Sequence, residues 1–236
     1  MTVRLVSLVH DALDPDALAG FWASALRWTP VGRHAIGPAA GDPTSFVLQF
    51  RPTDVTKTGQ NRIHFDLTTD SVAEQSRSVD ALLALGATHV DVGQSPEETH
   101  VVLADPEGNE LCVIEPTNFL ATCPRLGAVN CDGTHGLGVF WSRALGWPLV
   151  WDHEEETAVQ APSGDGPKIT WSGTPLMPGW GVERIHFHVV PDIGTSGDAA
   201  LDELLALGAT RPDQPGCDEA IALADVDGNP FCLHTS

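Results

Sequence analysis

The chain has 236 residues, 42% of them hydrophobic and 19% charged, and a formal net charge of −20 from 32 acidic against 12 basic side chains. A surface this acidic repels phosphate backbones and anionic lipid, which argues against nucleic acid and membrane as partners. It draws in small cations, or serves solubility alone. Five cysteines, an odd number without framework-like spacing, argue against a disulfide scaffold and for reduced thiols in the cytoplasm. The N-terminus runs directly into strand-like sequence, so no export signal is expected, and no apolar run is long enough to cross a bilayer.

Val3 to Val9 is β-branched and apolar, which predicts a strand. Asp14 can cap a helix whose first residue is Pro15, and Leu18, Phe21, Trp22, Ala25 and Leu26 form one apolar stripe along it. Strand-like stretches follow around Trp28 to Ile36 and Ser45 to Arg51. A second cycle opens with a strand over Arg62 to Leu67. Its helix buries Val79, Leu82 and Leu83 and stops at Gly86. Strands near His89, over His100 to Ala104 and over Glu110 to Glu115 complete the cycle, the last two joined by the turn Asp105-Pro106-Glu107-Gly108.

After a polar linker over Thr117 to Arg125, the whole pattern returns. Phe21-Trp22 recurs as Phe140-Trp141, and Arg62-Ile63-His64-Phe65 as Arg184-Ile185-His186-Phe187. LLALGAT at Leu82 to Thr88 is repeated at Leu204 to Thr210. Asp105, Gly108-Asn109 and Cys112 recur as Asp225, Gly228-Asn229 and Cys232. Four blocks in one order, about 120 residues apart, predict an α+β chain of two tandem domains, 1–118 and 124–236. Each would hold two units of strand, helix and two or three strands.

That order, with the Phe-Trp helix, the Arg-x-His strand and the Asp-Pro-x-Gly-Asn-x-x-Cys ending, resembles the vicinal oxygen chelate superfamily of glyoxalases, bleomycin-resistance proteins and dioxygenases. The resemblance covers nearly the full chain. It implies βαβββ modules, paired into curled mixed sheets with helices outside and a cup for a small molecule inside. It also implies one metal ligand on each of four strands, usually histidine or glutamate. Those positions fall near Ser7, on Gln49, on His64 and on Cys112 in the first repeat. In the second they fall near Leu126, near Thr170, on His186 and on Cys232. Glyoxalase I chemistry needs a metal to polarise a carbonyl and a carboxylate to move the proton, so this set argues against that activity.

Alternation along the strands turns Arg62, His64 and Asp66 to the cup, with Arg184, His186 and His188 facing it in the second repeat and Cys112 beside Glu110 and Ile114. Gln49, Arg62, His64, Asp66, Cys112, Arg184, His186, His188 and Cys232 are therefore the candidate ligand-binding residues. His186 and His188, with Cα atoms roughly 7 Å apart on one strand face, could join Cys232 as a nitrogen–sulfur set suited to a divalent metal such as zinc. Hydrogen bonding without metal is the alternative for the histidines, plain cup-floor packing for Cys112 and Cys232, and an ion pair with Arg62 or Lys57 for Asp66. Trp22, Trp28, Trp141 and Trp147 occupy matched positions and are expected in the core. Trp151, Trp171 and Trp180 have no counterparts and could stack on an aromatic or cationic ligand or cover the surface between the domains. Cys123, Cys131 and Cys217 receive no role, and the unmatched histidines, His10 and His234 among them, are expected to be incidental.

Two functions fit. One is a binding protein of the bleomycin-resistance kind that sequesters a drug or metabolite. The other is a metal-dependent lyase, isomerase or dioxygenase acting on a small carbonyl or aromatic compound. Either would work as a monomeric pseudo-dimer or as a homodimer.

Overall fold

The computed structural model describes residues 2–95, 97–177, 183–212, 217 and 219–235. Four consecutive modules make up the chain. The first holds β1 (Val3–Ala12), α1 (Pro15–Leu26), β2 (Thr29–Gly32), β3 (Ala35–Gly37) and β4 (Val47–Pro52). The second holds β5 (Ile63–Leu67), α2 (Val72–Ala84), β6 (Thr88–His89), β7 (Val101–Ala104) and β8 (Glu110–Val113). The third holds β9 (Leu126–Cys131), α3 (His135–Leu145), β10 (Leu149–His153), β11 (Glu156–Gln160) and β12 (Lys168–Trp171). The fourth holds β13 (Ile185–Pro191), α4 (Gly197–Ala206), β14 (Ile221–Ala224) and β15 (Pro230–Leu233), with a single Thr210–Ala224 bridge where the second module has β6.

Local chemistry sets the element ends. Asp14 accepts from the Ala17 N–H at the start of α1, and Pro15 follows it. Ser71, Thr134 and Ser196 cap the other three helices through their hydroxyls. Gly86 and Gly208 end the two LLALGAT helices at φ of 105° and 112°, where a side chain would be strained.

The α+β class, the curled mixed sheets and the outer helices are present, and each sheet is shared between the repeats. One sheet runs β14-β15-β13-β1-β4-β3-β2, joining the first module to the fourth. The other runs β10-β11-β12-β9-β5-β8-β7-β6, joining the second to the third. The seams are antiparallel: Val9 lies opposite His186 on β1–β13, and His64 opposite Asn130 on β5–β9.

The two modules of one repeat meet back to back through the core. Trp22 of α1 packs edge-on against Phe65 of β5 with ring centroids 5.0 Å apart, and Trp141 of α3 against Phe187 of β13 at 4.9 Å. Trp22 Nε1 donates to Asp105 Oδ2 at 3.1 Å, and that carboxylate also accepts from the backbone of Glu107 and Asn109. Trp141 stands in the same relation to Asp225. The Phe-Trp, Arg-x-His-Phe and Asp-x-x-Gly-Asn motifs are thus one clasp, repeated twice, holding the sheets together. Trp28 and Trp147 are buried too, as expected of matched positions.

Candidate functional site

Each sheet has an inward face lined from both repeats, and the two faces differ. On the first, Ser7 lies opposite His188, and Val9 lies opposite both His186 and Gln49. His188 is also paired in register with Cys232. Gln49 therefore belongs with His186, not with His64 as a reading confined to one repeat places it. On the second, Asn130 lies opposite both His64 and Thr170, and Asp66 is paired with Cys112. Asn130, not Leu126, occupies the facing position. Pairing strands across repeats regroups the positions in this way, which no local pattern encodes.

Among the described residues, neither face carries a carboxylate at the superfamily's glutamate positions. Gln49 and Cys232 stand there in one cup, Thr170 and Cys112 in the other. Glutamine and threonine oxygens are weak zinc donors beside carboxylate and imidazole. The four-strand metal set of the glyoxalases does not fit this chain.

His186 and His188 bring their Nε2 atoms to 3.0 Å, and His188 Nδ1 lies 2.7 Å from His234 Nε2. His234 is thus part of the cup, although its lack of a counterpart at Ile114 suggests an incidental residue. Burial first, then the charges of Arg51 and His10, hold the His186 pKa down to about 3. Burial, then His186 and His234, does the same for His188, also to about 3. Both rings are neutral at physiological pH, so each carries one nitrogen lone pair. Cys232 is not the free thiol that five unframed cysteines suggest. It is joined to Cys217 in a disulfide, Cα–Cα 5.9 Å, across 15 residues of sequence. Cys217 lies against β15 at Cys232, a contact that spacing alone does not reveal.

Arg184 is a further correction. It faces no cup. Its side chain is 2% exposed and donates to Glu107 Oε2 at 2.7 Å and to the Val55 carbonyl at 2.6 Å. Glu107 also accepts from the backbone N–H groups of Leu13 and Asp14 at the entrance to α1. Its counterpart Arg62 keeps the cup position, 3.2 Å from Asp132. His10, expected to be incidental, is 1% exposed, lies tilted against Phe50 at 5.8 Å and has Asn109 beside its ring.

The second face opens into two adjoining cavities that share Asn130 and Ser172. The polar one, about 400 Å³, is lined by Arg62, His64, Gln94, His100, Glu110 and Cys112 among others. His64 Nε2 lies 3.4 Å from Asp66 Oδ1, and these two with Cys112 form one cluster. Burial opposes a charge on His64, but its contacts with Asp66 and Cys112 outweigh that and lift its pKa to about 10. The ring is an imidazolium at neutral pH. Burial raises the Cys112 thiol while His64 pulls it down, with the rise prevailing. Asp66 pairs with His64 rather than with Arg62 or Lys57; Lys57 is held by Glu110 at 2.6 Å.

The apolar cavity, about 380 Å³, is walled by Trp151, Trp171, Phe119, Leu120 and Ile114. Trp151 is 43% exposed and meets Phe119 edge-on at 5.8 Å. Phe119 and Leu120 come from the segment that reads as a polar linker; their apolar side chains inside it are the signal of a second duty. Asp66, Glu156 and Thr170 also line this cavity. Thr170 Oγ1 is buried there without a hydrogen-bond partner, and Asp66 Oδ1 is buried facing His64. Trp180 lies outside the described residues. Among the described residues, no helix is long and apolar enough to cross a membrane.

Paired βαβββ modules around two small cups define a tandem protein of the glyoxalase fold. The sequence profile described as a glyoxalase-like domain matches twice, at residues 7–114 and 128–234, and the chain belongs to that family. Glyoxalase I from Zea mays has the same fold at 15% identity and a TM-score of 0.65, covering 98% of this chain and 92% of that one. A "putative dioxygenase" from Bacillus subtilis is similar at 15% identity and 0.59, covering 98% and 84%. No curated protein sequence matches the chain.

Proposed function

We propose that the protein binds and sequesters a small, flat aromatic molecule carrying a cationic or hydrogen-bond-donating group, in the cup of the second sheet. The observation that carries this is the meeting of an aromatic wall, Trp151 and Phe119, with the Asp66 carboxylate and an unpartnered buried hydroxyl, Thr170 Oγ1, in one cavity of about 380 Å³. A buried acceptor without a partner costs free energy that a ligand N–H or O–H recovers. The wall supplies stacking and cation–π attraction, and the net charge of −20 raises the local concentration of cations. Ethidium, a flat aromatic monocation, is a suitable probe. It is expected to quench tryptophan emission saturably, with Trp151→Ala raising its Kd by at least about tenfold. Equal affinity in wild type and Trp151→Ala would remove this reading.

A second reading, an enzyme acting on a small carbonyl or aromatic compound, is favoured by one feature. His64 is held protonated at the mouth of the adjoining polar cavity, where it could donate to a developing oxyanion. That arrangement has threonine, not a carboxylate base, at Thr170, the position across Asn130 from His64. Turnover of the methylglyoxal–glutathione adduct is therefore expected to stay below the usual enzyme range of roughly 1–1000 per second. Glutathione thioester formation followed in the ultraviolet, with and without added zinc, checks it.

A further inference from the structure

The cup of the first sheet is not used by the function proposed above, and it holds a different chemistry. His186 and His188 present two Nε2 atoms 3.0 Å apart. These atoms and Cys232 Sγ all lie within 4.8 Å of one another. Around a tetrahedral zinc with ordinary bond lengths, two imidazole nitrogens sit about 3.3 Å apart and a nitrogen and a sulfur about 3.6 Å apart. Small side-chain movements therefore suffice to close the set. His234 adds an outer contact. With its Nε2 2.7 Å from His188 Nδ1, it can accept a hydrogen bond from the Nδ1–H and leave the His188 Nε2 lone pair pointing at the site. Zinc, however, needs Cys232 as a thiolate, and that sulfur is bonded to Cys217.

We propose that Cys217–Cys232 is a redox latch on a zinc site made by His186, His188 and Cys232, closed to the metal when oxidised and opened by a dithiol. The step balances as ordinary exchange. A thiolate of the reductant attacks one sulfur of Cys217–Cys232 and the S–S bond breaks. The second thiol then resolves the mixed disulfide. Two electrons and two protons pass to the protein, leaving Cys217 and Cys232 as thiols and the reductant as its disulfide. Zinc then displaces the Cys232 proton to solvent and takes three protein ligands, with water in the fourth position. A route for both reagents exists. A cavity of about 220 Å³, bounded by Asp11, Arg51 and Pro212, reaches His186 and both sulfurs. A disulfide whose partner cysteine lies in the approach to an edge strand, facing two imidazoles, is placed to control metal uptake rather than to staple a core.

Cobalt(II) tests this without any need for activity, because a thiolate ligand gives a sulfur-to-cobalt charge-transfer absorption. The full-length protein with Cys112→Ser, which disables the other His-Asp-Cys cluster, is compared after mild oxidation and after reduction by a phosphine. Free-thiol counts establish the two states. The reduced protein is expected to develop the band at one equivalent of cobalt and lose it to zinc, and the oxidised protein to show none. Adding Cys217→Ser should give the band without reductant. Cys232→Ser should abolish it in both states, and His234→Ala should weaken cobalt binding by about 10–100-fold. Equal bands in oxidised and reduced protein would overturn the proposal. So would a band surviving in Cys232→Ser, or none in the reduced protein. The oxidised–reduced comparison involves no substitution at the site, so a misfolded variant cannot decide the outcome. Ethidium binding at the other cup is measured separately and can fail or succeed independently.

Discussion

Replacing Glu107 with alanine is expected to destabilise the protein by about 3–5 kcal/mol, the cost of removing one partner from a buried ion pair. Arg184 is 2% exposed and Glu107 10%, so neither is screened by bulk water. Without the carboxylate, the guanidinium keeps only the Val55 carbonyl, and its Nε already has no partner. The same carboxylate caps the backbone of Leu13 and Asp14, so the entrance to α1 loosens as well. The second repeat supplies an internal control. Asp227, at the equivalent turn, accepts from the N–H and hydroxyl of Thr134 at the start of α3 and, among the described residues, forms no ion pair with an arginine. Asp227→Ala should therefore cost only about 0.5–2 kcal/mol, the usual value of a helix cap. Urea denaturation of the two variants in parallel checks the contrast. Equal losses would mean that the ion pair adds nothing beyond the cap.

This asymmetry also marks what the sequence could and could not convey. The repeat, the element order and the faces of β5 and β13 follow from periodicity, because alternation and helical spacing are local. Arg62 and Arg184 are identical in sequence context, yet one faces a cup beside Asp132 and the other is buried against Glu107. That difference comes from residues 70 or 77 positions away, and no window of sequence holds it. The same applies to Gln49 and His186, and to Asn130 and His64, which meet only because β1 pairs with β13 and β5 with β9. The sequence motifs that carry the family resemblance turn out to be mainly the clasp of Trp22 on Phe65 and Asp105. They specify how modules pack back to back, which explains why they identify the fold and leave the chemistry open. Cys217 and His234 carry no motif, since each acts through a contact that only the folded chain creates.

Stability of the chelator-treated protein should peak near pH 6.5, because the two cups titrate in opposite senses around the ordinary histidine pKa. In the first cup, His186 and His188 are held down to about 3, so the unfolded chain binds their protons more readily than the folded one. Their stabilising contribution is present above the unfolded pKa of about 6.5 and is lost as pH falls toward 3, at up to about 1.4 kcal/mol per pH unit for each ring. The rings contact one another and His188 is part-exposed, so the combined slope falls short of twice that figure. In the second cup, His64 is raised to about 10, beside Asp66 and Cys112. Its contribution is full below about 6.5 and is lost as pH rises through 10, again at no more than about 1.4 kcal/mol per unit. Substitution separates the limbs from the background of 32 acidic residues. His188→Gln should flatten the acid limb and leave the alkaline one, and His64→Gln should do the reverse. Urea midpoints at intervals from pH 4 to pH 9 give both slopes. An alkaline limb unchanged in His64→Gln would mean that the His64–Asp66 pair contributes nothing to the fold, and an acid limb unchanged in His188→Gln would return that limb to the carboxylates.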